Sequence, residues 1–67
     1  MTGRTGLGSY LARRALERGE KYLKRGEIIA ALVEFREAEF YLRSEGLVDE
    51  ATSIGKLISY LEKLSGA

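Results

Sequence analysis

The dipeptide Tyr-Leu recurs at a fixed interval, as Tyr22-Leu23, Tyr41-Leu42 and Tyr60-Leu61, each 19 residues after the one before. A glycine follows each pair within a few residues, at Gly26, Gly46 and Gly66. The second pair lies in a longer echo of the first, Glu39-Phe40-Tyr41-Leu42-Arg43 against Glu20-Lys21-Tyr22-Leu23-Lys24. Ala31 and Ala51 each come five residues after a glycine. Such a period reads as one helix and one short turn used three times. Helix ends that separately favour amphipathic aromatics and glycine caps would give the same pattern. Both origins lead to one architecture, because connections of about two to four residues force successive helices antiparallel.

Apolar spacing supplies the helices. After a leader over 1–8 with Gly3, Gly6 and Gly8, Ser9 is the expected N-cap, its hydroxyl accepting from free N–H groups of the first turn. The first helix is expected over about 10–25, where Leu11, Ala15, Gly19 and Tyr22 share a face that Leu16 and Leu23 widen. The second is expected over about 27–43, with a stripe of Ile28, Ala31, Leu32, Phe35, Ala38 and Leu42. Ile29, Val33 and Phe40 form another stripe on it, and a helix apolar on two sides belongs between two neighbours. The third is expected over about 48–64, on Ala51, Ile54, Ile58 and Leu61, with Leu57 and Leu64 alongside. No stretch alternates apolar and polar over strand length, and no Asn-Gly or Asp-Gly hairpin signal occurs. The expected fold is an all-α, antiparallel three-helix bundle over residues 9–65.

Composition narrows the function. A 67-residue chain is one domain, and at this size little stability is in reserve. Without Cys there is neither a disulfide nor a thiolate nucleophile. Without His the commonest acid–base group and metal ligand is missing. Helical glutamate pairs such as Glu34 and Glu37, or Glu17 and Glu20, lack the histidine partners that di-metal bundles use. They read more economically as surface ion-pair partners, as in Glu17 with Lys21, Glu20 with Lys24 and Glu39 with Arg43. No phosphate loop or dinucleotide fingerprint is present. The chain is therefore read as a non-enzyme with no cofactor and no metal. No apolar run approaches the ~20 residues a bilayer span requires, and residues 1–8 lack a signal peptide's apolar stretch. A cytoplasmic location without membrane contact is the expectation. The absence of Asn, Gln and Cys beside abundant Glu, Lys and Arg suits a thermophile.

Gly19, Tyr22, Gly26, Ala31, Phe35 and Ala38 fall at the spacings of a tetratricopeptide (TPR) repeat, and over about half the chain the sequence resembles one. In that family small residues let two helices approach closely while aromatics fill the gap. The closing proline is absent, with Arg43 near its place, and one helix follows instead of two. Over residues 10–64 the sequence also resembles the microtubule-interacting and trafficking (MIT) domain, a three-helix bundle with TPR-like first helices. Gly26, Ala31 and Phe35 match the start of its second helix, and Ile58-Ser59-Tyr60-Leu61-Glu62-Lys63 the end of its third. The linker around Ser44–Leu47 is shorter than that family's. Either resemblance implies docking of helical or extended segments of partner proteins between helices.

Two surfaces stand out as candidates. Ile29, Val33, Phe40, Leu57 and Leu64 would receive a partner helix if left exposed together; otherwise they are core. Arg14, Arg18, Lys21 and Arg25, spaced four, three and four apart, share one face of the first helix. Seven Lys/Arg against two Glu give residues 1–26 a charge of +5, whereas residues 27–67 carry −4. Such a face contacts phosphates in a salt-sensitive way or meets an acidic protein; it is equally a solvated face paired with Glu17 and acids of the second helix. A pI near 8.0 favours the acidic protein over nucleic acid. The leading expectation is a protein-interaction module, an adaptor or small subunit of a larger assembly. A ribonucleoprotein accessory factor using the basic face and a self-assembling structural protein are the alternatives.

Overall fold

Two turns with one geometry organise the chain. The computed structural model describes residues 6–66, in which α1 (Leu7–Lys24), α2 (Ile28–Ser44) and α3 (Val48–Ser65) follow one another. After α1, the Gly26 N–H donates to the Leu23 carbonyl at 2.9 Å and the Glu27 N–H to the Tyr22 carbonyl at 2.9 Å. After α2, the Gly46 N–H donates to Arg43 at 3.0 Å and the Leu47 N–H to Leu42 at 2.9 Å. This pair of bonds is the Schellman motif, which satisfies helix-end carbonyls and needs a left-handed residue at its centre. Gly26 and Gly46 supply it, each at φ 76°. The residue after each glycine opens the next helix: the Glu27 carbonyl accepts from Ala31 N–H at 3.1 Å, and the Leu47 carbonyl from Ala51 N–H at 3.0 Å.

The turn therefore repeats every 20 residues, and the left-handed glycines at 6, 26, 46 and 66 keep that interval throughout. The Tyr-Leu pairs, 19 apart, drift by one residue per turn, about 100° around the helix. Tyr22 and Tyr41 are accordingly half-buried while Tyr60 is exposed.

Cross-helix contacts fix the topology. Gly19 lies under the Phe35 ring, Arg18 meets Glu34 and Glu37, and Gly8 meets Glu45. Residue numbers rise on α1 as they fall on α2, so the two are antiparallel. Glu39 beside Gly55 and Arg36 bonded to Glu62 establish the same for α2 and α3. The fold is an all-α three-helix bundle with α2 at its centre. One buried cluster joins Ala31, Leu32 and Phe35 to Ile58 and Leu61; another joins Ala12 and Leu42 to Ala51. The Cα atoms of α1 and α3 nowhere come within 8 Å of each other among the described residues.

The beginning of α1 differs from expectation. The helix starts at Leu7, so Gly8 and Ser9 lie inside it and Ser9 is not the cap. The cap position is Gly6, which has no side chain to offer. Glu45, at the end of α2, does the capping instead: its Oε2 accepts from the Gly8 N–H at 3.1 Å. A carboxylate there also suits the positive end of the α1 dipole, which has no acid in its own first turn. The rest of the expected leader, residues 1–5, lies outside the described residues. Glu27 caps α2 rather than beginning it. No helix among the described residues is long and apolar enough to cross a membrane.

Candidate protein-interaction surfaces

Ile29, Val33 and Phe40 lie on the side of α2 opposite its core stripe. They recur at spacings of four and seven, so they form one line along the helix. They are 62%, 58% and 65% exposed, and α3 does not cover them. Arg36, between Val33 and Phe40 on the flank toward α3, bonds Glu62 and marks where the α2–α3 contact ends. Large apolar side chains aligned on one helix are what a docking helix buries.

Leu57 and Leu64 are on a different face. On α3, Gly55 and Glu62 lie on the flank that meets Glu39 and Arg36 of α2. Leu57 and Leu64 lie on the other flank, toward α1. Leu57 is half-buried against the cluster that also takes Leu16, Tyr22 and Leu23, whereas Leu64 is 59% exposed. The five residues expected together thus divide between two surfaces. The cause is geometric: α1 and α3 stand apart, so the core side of α2 opens between them as a second groove.

At one end of that groove a cleft of about 290 Å³ has Ser9, Arg13 and Leu16 on the α1 wall and Leu47 and Glu50 on the α3 side. Leu42 lies at its base. The sequence pattern reads Ser9 as a cap and Leu16 and Leu42 as core, and it does not bring them together as a cleft, because the cleft arises from the angle between helices that are not neighbours in sequence. Leu7, Tyr10, Val48 and Tyr60 are further exposed apolar residues that periodicity does not distinguish from core.

The basic face of α1 is only partly free. Arg18 Nε donates to Glu34 Oε1 at 2.9 Å and its second nitrogen to Glu37 Oε1 at 3.2 Å. The hydrogen bond to Glu34 is the main cause that holds the Arg18 guanidinium still further above its ordinary pKa. Arg14 approaches Glu17 at 3.8 Å and donates to the Tyr10 hydroxyl at 3.4 Å. The Arg25 guanidinium stands 5.9 Å from the centre of the Tyr22 ring, within cation–π reach. Lys21 and Arg25 have no acidic partner among the described residues. Arg18, Lys21, Tyr22 and Arg25 border a shallow hollow of about 110 Å³.

No known family, characterised protein or solved structure matches the chain.

Proposed function

We propose that the chain is a non-catalytic protein-interaction module, of the TPR- or MIT-like kind, that docks a helical or extended segment of a partner. One observation carries the reading. Ile29, Val33 and Phe40 stay more than half exposed in a line on the central helix, on the side away from its buried core stripe. Burying such side chains completely is worth about 1.5–3 kcal/mol each, and half of that is still to be gained at each position. A 67-residue chain that leaves this much on one straight face is suited to a partner rather than to solvent. The close packing of Phe35 over Gly19 supports the TPR-like part of the reading, since a small residue beneath an aromatic is what that resemblance implies. The engagement of Glu34 and Glu37 by Arg18 favours structural over metal-binding use of those carboxylates.

The test is capture from the native cytoplasm on tagged protein, at low and high salt, with the wild type and a Val33→Ala/Phe40→Ala variant compared by mass spectrometry. A partner retained at high salt by the wild type and lost by the variant, with far-UV circular dichroism unchanged, is the expected result. Retention of the same proteins by both would remove this face from consideration.

A further inference from the structure

The 20-residue register makes positions on the three helices equivalent. Ala31 and Ala38 of α2 are buried where it packs on α1, and Ala51, Ile58 and Leu61 of α3 are buried where it packs on α2. Stepping back by the turn interval places Leu11, Arg18 and Lys21 of α1 at the equivalent positions, with Arg14 and Arg25 on the same face. This is the face by which α2 and α3 each rest on the helix before them. On α1 it is cationic where the others are apolar, and Arg14, Arg18, Lys21 and Arg25 are all exposed. Toward the start of the helix it turns apolar, with Leu7 and Tyr10 exposed beside Leu11.

The charges on this face are only partly satisfied internally. Arg18 is held by Glu34 and Glu37, but Lys21 and Arg25 have no acidic partner among the described residues. Arg14 and Glu17 make a long, exposed pair of little strength. The hollow between Arg18, Lys21, Tyr22 and Arg25 has the volume of three to four waters at ~30 Å³ each, room for one carboxylate side chain. A free multivalent anion suits it less, because it lies by the negative end of the α1 dipole and close to Glu34 and Glu37. A second copy of this chain suits it less too. Its α2 acids are engaged, Glu34 and Glu37 with Arg18 and Glu39 with Arg43, while Asp49 and Glu50 sit together at one end of α3.

We propose that this face of α1 docks an acidic amphipathic helix of another protein. Its apolar side rests on Leu7, Tyr10 and Leu11, and its carboxylates meet Arg14, Lys21 and Arg25, one of them in the hollow beside Tyr22. The incoming helix takes toward α1 the place that α1 takes toward α2. The surface is separate from the Ile29–Phe40 row, and the two can be occupied independently.

Fluorescence anisotropy tests this with a labelled synthetic helix of the same 18-residue length as α1, leucines along one face and glutamates on the adjoining flank. A twin peptide with every Glu replaced by Gln and a single-stranded RNA complete the probes. The proteins are the wild type, Lys21→Glu/Arg25→Glu and Val33→Ala/Phe40→Ala, each checked by circular dichroism; Arg18 is left intact because it holds two α2 acids. The wild type is expected to bind the Glu peptide at least tenfold more tightly than the twin at low salt, with the gap narrowing as salt screens it. Charge reversal is expected to abolish that gap, and the α2 variant to keep it. Equal binding of the two peptides, a gap that survives charge reversal, its loss in the α2 variant, or tighter binding of RNA than of the Glu peptide would each overturn the proposal.

Discussion

Gly19→Ala adds one carbon where α1 meets the largest fully buried side chain of the protein. A Cβ there would lie 2.8 Å from Phe35 Cε1, 2.9 Å from Cζ and 3.1 Å from Cδ1. Phe35 is 1% exposed, so its ring has no solvent side to move into. By helix propensity alone the substitution stabilises by about 1 kcal/mol. Overpacking of a closed core costs about 1–3 kcal/mol. The net expectation is a loss of about 0–2 kcal/mol, which for a domain of this size lowers Tm by up to about 15 °C. Gly55→Ala is the matched control, also inside a helix. Its Cβ would meet only the Glu39 carboxylate, with Oε2 at 3.0 Å, the far end of a half-buried and adjustable side chain. That variant should be more stable than wild type by about 0.5–1 kcal/mol. Urea titrations followed by far-UV circular dichroism compare the two. Adding Phe35→Leu to Gly19→Ala should cost at least about 1 kcal/mol less than the separate losses combined, because the smaller side chain relieves the contact. Gly19→Ala as stable as Gly55→Ala, or no coupling with Phe35→Leu, would refute the close-approach argument.

Gly26→Ala and Gly46→Ala should each cost about 1–2 kcal/mol in thermal or urea unfolding, and by similar amounts, since both force a Cβ into the same left-handed turn at φ 76°. Glu45→Ala should lose about 1 kcal/mol by removing the acceptor that caps α1, with hydrogen exchange accelerated at Gly8 more than in α3. Phe40→Ala should change stability by less than about 1 kcal/mol, whereas Phe35→Ala should lose about 3–5 kcal/mol and leave the chain largely unfolded at 37 °C by circular dichroism.

Most of the fold was legible because it depends on local chemistry. The core stripe of α2 read from spacing is buried at Ala31, Leu32, Phe35, Ala38 and Leu42, with Ile28 half-buried. The glycines ended the helices where expected because a left-handed turn leaves few other choices of residue. Ala12 was missed, although it is fully buried. The expected stripe runs through its neighbour Leu11, which is only half-buried, and what buries Ala12 is the opposing Leu42 and Ala51. The start of α1 was misread for a related reason. Ser9 has the chemistry of a cap, but the acceptor that α1 uses is Glu45, supplied through the tertiary fold from the far end of α2.

The candidate surfaces divide along the same line. That Ile29, Val33 and Phe40 share a face follows from the helical period alone. Whether that face is covered depends on where α3 sits around α2, and periodicity carries no information about that angle. The basic face shows the same division in electrostatic form. Four cations at spacings of four, three and four are visible in the sequence, but their availability is not. Arg18 is held by Glu34 and Glu37 because the antiparallel register brings residues 16 and 19 positions away beside it. Lys21 and Arg25, on the same face, have no acidic partner among the described residues. The effective charge of the surface is therefore set by the α1–α2 register, and that register is set by the Gly26 turn together with the seating of Phe35 on Gly19. A substitution that shifts this packing should alter the binding of acidic partners to α1 without touching any of its cations.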